Sequence, residues 1–231
     1  MKKVSLNKVA DLDKVVKLCD ALGPNYTPGN EALMPTALAS LLVVTNEKMK
    51  AVNSAQVAAA TLSKQRKLSF AGIPGLAAKI VRRVMSSQAT LAEQLQSREI
   101  KRKYFHGKAS VMKPVASSTD GAVSEPKSPR SNYRDYAGQL AGLEQLIHLV
   151  STINGYKSVE PALTLEGLNQ TFAELQGIHV AAISARMTLT EARKSRDEIV
   201  SGPGGVSATV NAFKDYLRSK YGYGDPTLQQ L

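Results

Sequence analysis

LASLLVVTNEKMKAVNSAQVAAA, residues 38–60, and LNQTFAELQGIHVAAISARMTLT, residues 168–190, are the stretches whose reading decides the fold. In the first, Leu38, Leu42, Thr45, Met49, Val52, Gln56 and Ala59 step alternately by four and three. The second answers at an offset of 130 with Leu168, Phe172, Leu175, His179, Ala182, Arg186 and Leu189. The offset puts Leu42 against Phe172 and Thr45 against Leu175, so the stripe itself is matched position by position. Such spacing places one residue per turn on a single line, the seam of a bundle helix. The sequence therefore predicts core positions at Leu38, Leu42, Met49 and Val52 in one long helix and at Leu168, Phe172, Leu175 and Leu189 in the other.

The same offset extends outward. It sets Tyr26 on Tyr156, Leu33 on Leu163, Arg66 on Arg196, Gly72 on Gly202 and Gly75 on Gly205. Between positions 26 and 88 the gapless comparison holds 12 identities in 63 pairs. Seam and glycine stops agree with those identities, and together they read as an internal duplication. Upstream, Leu12, Val15, Val16, Cys19 and Leu22 match Leu143, Leu146, Ile147, Val150 and Ile153 at an offset of 131. The extra residue falls in the Gly/Asn turn that follows, where length changes are tolerated.

Each copy thus reads as three helices. The first covers about residues 7–22 and 133–153. The second is long, with Pro35 suited to a first turn and Thr164 to an N-cap. It stops at Gly72 or Gly202, each closely followed by proline. The third is expected from Gly75 to Lys103 and from Gly205 to Tyr221. In it the offset of 130 sets Arg83 against Phe213 and Val84 against Lys214, and the likeness frays. The fold class that follows is all-α: two tandem three-helix repeats, each a long hairpin, forming a pseudo-twofold helical bundle. The domains are a basic first repeat over 1–103, a Ser/Pro-rich linker over 104–132 and a charge-neutral second repeat over 133–231. The absence of Trp and the presence of only 4 Phe fit an alanine- and leucine-rich helical protein.

Charge is unevenly distributed. Residues 1–110 hold 18 basic and 7 acidic side chains and carry the whole net charge of +11. Residues 47–108 alone hold 13 basic and 3 acidic. Lys64, Arg66 and Lys67 close the first long helix, Arg82 and Arg83 follow, and Arg98, Lys101, Arg102 and Lys103 end in a basic run. The first cluster is expected to join Arg82 and Arg83, with 98–103 about one helix length away. These nine residues are the candidate binding face for a protein partner or for nucleic acid. The opposing reading is electrostatic: cations near helix C-termini are favoured by the macrodipole. Only Tyr104 and Phe105 adjoin a cluster, so stacking on single-stranded bases is not expected.

Other chemistry finds little support. GIPGLAAK (72–79) and SGPGGVSATV (201–210) lack the preceding strand and the GK[ST] ending of a phosphate loop; a helix stop followed by a helix start explains them. His106, His148 and His179 are isolated, and Cys19 is the one cysteine and sits on an apolar stripe, so neither a metal site nor a disulfide is expected. Glu191, Asp197 and Glu198 interleave with Arg193, Lys194 and Arg196 as on a salt-bridged helix surface. No catalytic residues, no cofactor and no metal are assigned. Lys8, Asp11, Asp13 and Lys14 interrupt any signal-like apolar run, and no apolar stretch has membrane length, so the expected location is cytoplasmic.

The tail FKDYLRSKYGYGDP, residues 213–226, resembles the C-termini of small uncharacterised bacterial all-helical proteins. Those end in a VK-x-x-aromatic-G-x-x-S-P type segment, with Asp225 here in place of the Ser. The resemblance implies a bacterial origin and no activity. The reading of the whole is a non-catalytic structural or interaction protein, a scaffold or assembly component that binds a protein partner or itself through the basic face. A non-specific nucleic-acid binder is the alternative, and an enzyme of unspecified type the second alternative.

Overall fold

The computed structural model describes residues 2–105 and 135–222, and every regular element in them is helical. The α-helices are α1 (Lys2–Leu22), α2 (Pro35–Phe70), α3 (Ile73–Met85), α4 (Leu91–Tyr104), α5 (Tyr136–Thr152), α6 (Leu165–Ser201) and α7 (Val206–Tyr221). Single 3-10 turns lie at Gly23–Asn25, Glu31–Leu33 and Pro161–Leu163. None of these helices is long and apolar enough to cross a membrane. Pro35 opens α2, and Thr164 caps α6 by accepting a hydrogen bond from the Gly167 N–H at 3.1 Å.

The chain divides into two compact units, and they do not follow the sequence boundaries at 1–103 and 133–231. One comprises Met1–Thr61 and Ser184–Leu231; the other is Leu62–Ile183. Each long helix begins in one unit and ends in the other. A helix of 36 residues runs about 54 Å, and Leu38 near its start enters one core while Phe70 at its end enters the other.

In the first unit α7 packs on α1 and on the 31–33 turn. Its core gathers Leu12, Val15, Cys19, Tyr26, Leu33, Leu38, Val206, Val210, Phe213 and Leu217. Burial raises the Cys19 thiol pKa above its ordinary value. The Tyr26 hydroxyl donates to the Leu33 carbonyl at 2.6 Å and closes the turn into α2.

In the second unit α3 and α4 pack on each other and both pack on α5. Ile73, Ala77, Ile80, Val81 and Val84 form the inner face of α3. They meet Leu143, Leu146, Ile147 and Val150 of α5 in one core with Leu163, Leu168 and Leu175. Here the Tyr156 hydroxyl donates to the Leu163 carbonyl at 3.0 Å, the same bond found 130 positions earlier.

Of the eight predicted seam positions, Leu38, Val52, Leu168 and Leu175 are buried, while Leu42, Met49, Phe172 and Leu189 are half-buried. Thr45 is fully buried on the seam, its hydroxyl donating to the Leu41 carbonyl at 2.6 Å. Two expectations need correction. The helix foreseen over Gly75–Lys103 is two helices, broken at 86–90, where Thr90 and Glu93 form a capping box: Thr90 Oγ1 accepts from the Glu93 N–H and Glu93 Oε2 accepts from the Thr90 N–H. The register of the third helices is also different. Buried Ile73, Ala77, Ile80 and Val84 correspond to buried Val206, Val210, Phe213 and Leu217 at an offset of 133, not 130. The glycine turn is longer at 202–205, where a Cβ on Gly202 or Gly205 would meet the carbonyl of Glu198 or Ile199. These glycines serve backbone closure.

The linker boundary shifts too. Tyr104 ends α4 and is buried, as is Phe105, so both belong to the fold. Residues 106–132 of the expected linker, 133–134 of the expected helix, His106 and the last residues of the tail lie outside the described residues.

Candidate functional site

All nine candidate residues fall in the second unit, on the end of α2 and on α3 and α4. Lys64 and Lys67 are exposed on the last turns of α2. Arg66 is not: it is 7% exposed, and its guanidinium lies 4.3 Å from the centre of the Tyr136 ring. Phe70 meets that ring edge-on at 5.0 Å, and His179 lies beside both aromatics. Burial, and then the Arg66 charge, hold the His179 pKa below its ordinary value, against a smaller opposite pull from Asp135. Arg66 Nε and His179 Nδ1 are buried without a hydrogen-bond partner among the described residues. Arg66 is thus a core cation and cannot meet a partner at the surface.

Arg83 and the neighbouring Lys79 hold the unit together. Arg83 Nε donates to the Lys157 carbonyl at 2.8 Å, and Lys79 pairs with Glu160 at 2.7 Å. Both clip the 157–163 segment to α3. Arg82 projects from the same helix, exposed.

On α4, Ser97, Ile100 and Tyr104 face inward, which leaves Arg98 and Arg102 outward and Lys101 half-buried. Lys103 is exposed, with its ammonium 5.0 Å from the Tyr104 ring centre. The inner face approaches α5 closely because position 142 is glycine: a Cβ there would lie 2.5 Å from Tyr104 Cβ and 2.9 Å from Phe105 Cζ. Gln145 Nε2 adds a hydrogen bond to the Tyr104 hydroxyl at 3.1 Å.

The break at 86–90 turns α4 back along α3. Arg98 Nη2 reaches Met85 Sδ at 3.4 Å. Arg98 therefore stands beside the last turn of α3, which carries Arg82, and not a helix length away as the unbroken helix implied. Arg82 lies one turn before that contact on α3 and Arg102 one turn after it on α4, and both are exposed.

Sequence reasoning also passed over the apolar members of this edge. Leu91 is 72% exposed and Leu95 51% exposed, and Met85, which touches Arg98, is exposed as well. The signal was present in the spacing: 91, 95, 98 and 102 step by four, three and four.

A concavity of about 860 Å³ lies where α4, α5 and the start of α6 meet. Glu144 and His148, both exposed on α5, are the titratable side chains among the residues lining it; Gln96, Gln145, Ser151 and Asn169 supply amides and a hydroxyl. Among the described residues no three His, Cys, Asp or Glu side chains converge as metal ligands would.

No protein-family model, no curated protein and no solved structure matches this chain.

Proposed function

We propose that the chain is a non-catalytic interaction protein, a scaffold or assembly component that holds an acidic protein partner on the α3–α4 edge. One observation carries this reading. Lys64, Lys67, Arg82, Arg98, Lys101 and Arg102 have no carboxylate within ion-pair distance among the described residues. In the other unit Lys194, Arg196 and Arg218 each have one, while Lys48, Lys50, Arg186 and Arg193 have none among the described residues, so the second unit differs in its excess of cations. Residues 62–105 hold 10 basic and 2 acidic side chains. Such a cluster repels itself, and an acidic surface relieves the repulsion on binding. The macrodipoles of α2, α3 and α4 offset part of the cost, but they act only within the last turn.

Affinity purification of the tagged full chain from its host, with and without nuclease, tests the reading. A defined protein set that survives nuclease and is lost from the Arg82→Gln/Arg98→Gln/Arg102→Gln variant is the expected result. Retention of the same set by that variant would refute it.

The excess of cations on 62–105 also favours a second reading, non-specific binding to nucleic acid. Its mark is a fall of log K with log salt at a slope of about −0.9 per phosphate neutralised. A duplex that shows no salt dependence in binding, or no binding, removes it.

Two further expectations belong to this reading. The paired core positions, the repeated tyrosine bond and the matched 3-10 turns support descent from one duplicated three-helix segment, with the third helix of each copy packed on the first helix of the other. A cytoplasmic location suits Cys19, a free thiol in the core; subcellular fractionation checks it.

A further inference from the structure

We infer that the partner presents an amphipathic helix, with leucine-type side chains at one end and carboxylates at the other, to the outer stripe of α4. This rests on the proposed role of the α3–α4 edge and specifies what binds there. At 100° per residue, Leu91, Leu95, Arg98 and Arg102 fall within an arc of about 60°, on a line about 16 Å long. All four side chains are exposed. The line is divided: its first half is apolar and its second half cationic. Single exposed leucines are ordinary, but two in register on the line that carries two arginines with no carboxylate partner among the described residues form a surface with an order. Met85, exposed on the last turn of α3, touches Arg98.

The helix that carries the stripe is an addition to the shared plan. The first unit completes its core with α1, α7 and the ends of the long helices, and among the described residues nothing in it corresponds to α4. The carboxylates near the stripe do not neutralise it. Glu93 is held by Thr90 in the capping box. Glu99 lies about 40° from Leu95 around the helix, just outside the arc, and makes no ion pair with Arg98 or Arg102 among the described residues. Charge complementarity therefore selects carboxylates opposite Arg98 and Arg102, and the leucines select an apolar end on the same helix; this is the helix-on-helix mode of recognition.

A phosphate backbone has nothing to place against Leu91 and Leu95. A bilayer surface favours a broad apolar face bearing aromatics, whereas the aromatics of α4 and its cap, Tyr104 and Phe105, are buried.

The test uses the full chain and three fluorescent probes. One is a synthetic helical peptide with two leucines and two glutamates at the same spacing; the second is that peptide with serine for leucine; the third is phosphatidylglycerol vesicles. The unaltered protein should prefer the leucine peptide by about tenfold or more, the effect of burying part of two leucines. Leu91→Ser/Leu95→Ser should erase the preference without weakening binding of the serine peptide, and Arg98→Gln/Arg102→Gln should weaken both peptides. All four positions are exposed, and circular dichroism verifies that the variants stay folded. Equal affinity for the two peptides overturns the inference, and so does vesicle binding that the leucine variant abolishes while neither peptide binds. If the arginine variant weakens both peptides yet no leucine preference exists, the basic edge stands and the amphipathic partner falls. If the arginine variant changes nothing, the basic edge itself is refuted.

Discussion

Gly142→Ala and Gly177→Ala are the same substitution in the middle of a helix, and the structure gives them opposite signs. Replacing a helical glycine by alanine restricts the unfolded chain and stabilises by about 0.5–1 kcal/mol where space permits. At Gly177 of α6 a Cβ meets nothing within 4 Å, so that gain should appear in full. At Gly142 of α5 the Cβ would sit 2.5 Å from Tyr104 Cβ, 2.6 Å from Tyr104 Cγ and 2.9 Å from Phe105 Cζ. The two Tyr104 atoms cannot swing away, because Tyr104 is anchored at its own Cβ to the end of α4; Phe105 Cζ, a ring tip, is the atom that can shift. Overpacking of this kind costs about 1–3 kcal/mol. Set against the propensity gain, a net destabilisation of about 1–2 kcal/mol is expected. The end of α4 should yield first, since it is a terminal turn, whereas α5 runs through the middle of the core. Urea denaturation reads the first effect as midpoints moving in opposite directions at unchanged slope. Amide exchange reads the second as lost protection over the last turn of α4, which carries Arg102 and Lys103. A Gly142→Ala protein whose midpoint rises with that of Gly177→Ala would refute the close approach of α4 to α5.

Further outcomes follow from the two cores. Tyr26→Phe and Tyr156→Phe should each lower stability by about 1 kcal/mol, since each removes a hydroxyl bonded to a carbonyl seven residues on; a silent variant at either site refutes its role in closing the turn. Arg66→Lys should cost about 1–2 kcal/mol because a lysine cannot lay a planar cation on Tyr136. Arg196→Lys should cost under about 1 kcal/mol, because its partner Asp197 is exposed; equal losses would contradict the assignment. His179 has its pKa lowered in the fold, so below about pH 6.5 the unfolded chain binds more protons than the folded one. Stability should therefore fall as pH drops below that point, and less steeply in His179→Gln. Parallel curves for the two proteins would show that His179 does not contribute.

The long helices were legible because their information is local. A step of four and three is a property of consecutive residues, and Leu38, Val52, Leu168 and Leu175 are buried where the seam placed them. Pro35 and Thr164 mark helix starts for equally local reasons: a missing N–H and a hydroxyl within reach of a free one. The first helices also matched in burial at their own offset, with Leu12 and Leu143, Val15 and Leu146, and Cys19 and Val150 all inside.

The candidate site was only half legible. Its charge was plain, but charge says nothing about exposure: Arg66 reads like Lys64 and Lys67 in sequence and is buried because Tyr136, seventy positions away, covers it. The capping pair Thr90 and Glu93 was written in the chain, yet the helical pattern runs past it and masks the break. Without that break, Arg98 could not be placed beside Met85.

By itself, then, the sequence determined the helical class, the two long seams, the glycine stops and the excess of cations. Each of these is set by a backbone period, a cap or a side-chain charge that neighbouring residues fix. The tertiary structure decided which third helix packs on which first helix, how the third helix of the first half divides, and which cations reach the surface. Those outcomes depend on segments distant in the chain. α2 gives Leu38 to one core and Phe70 to the other, and each core is completed by a helix from the other half of the sequence.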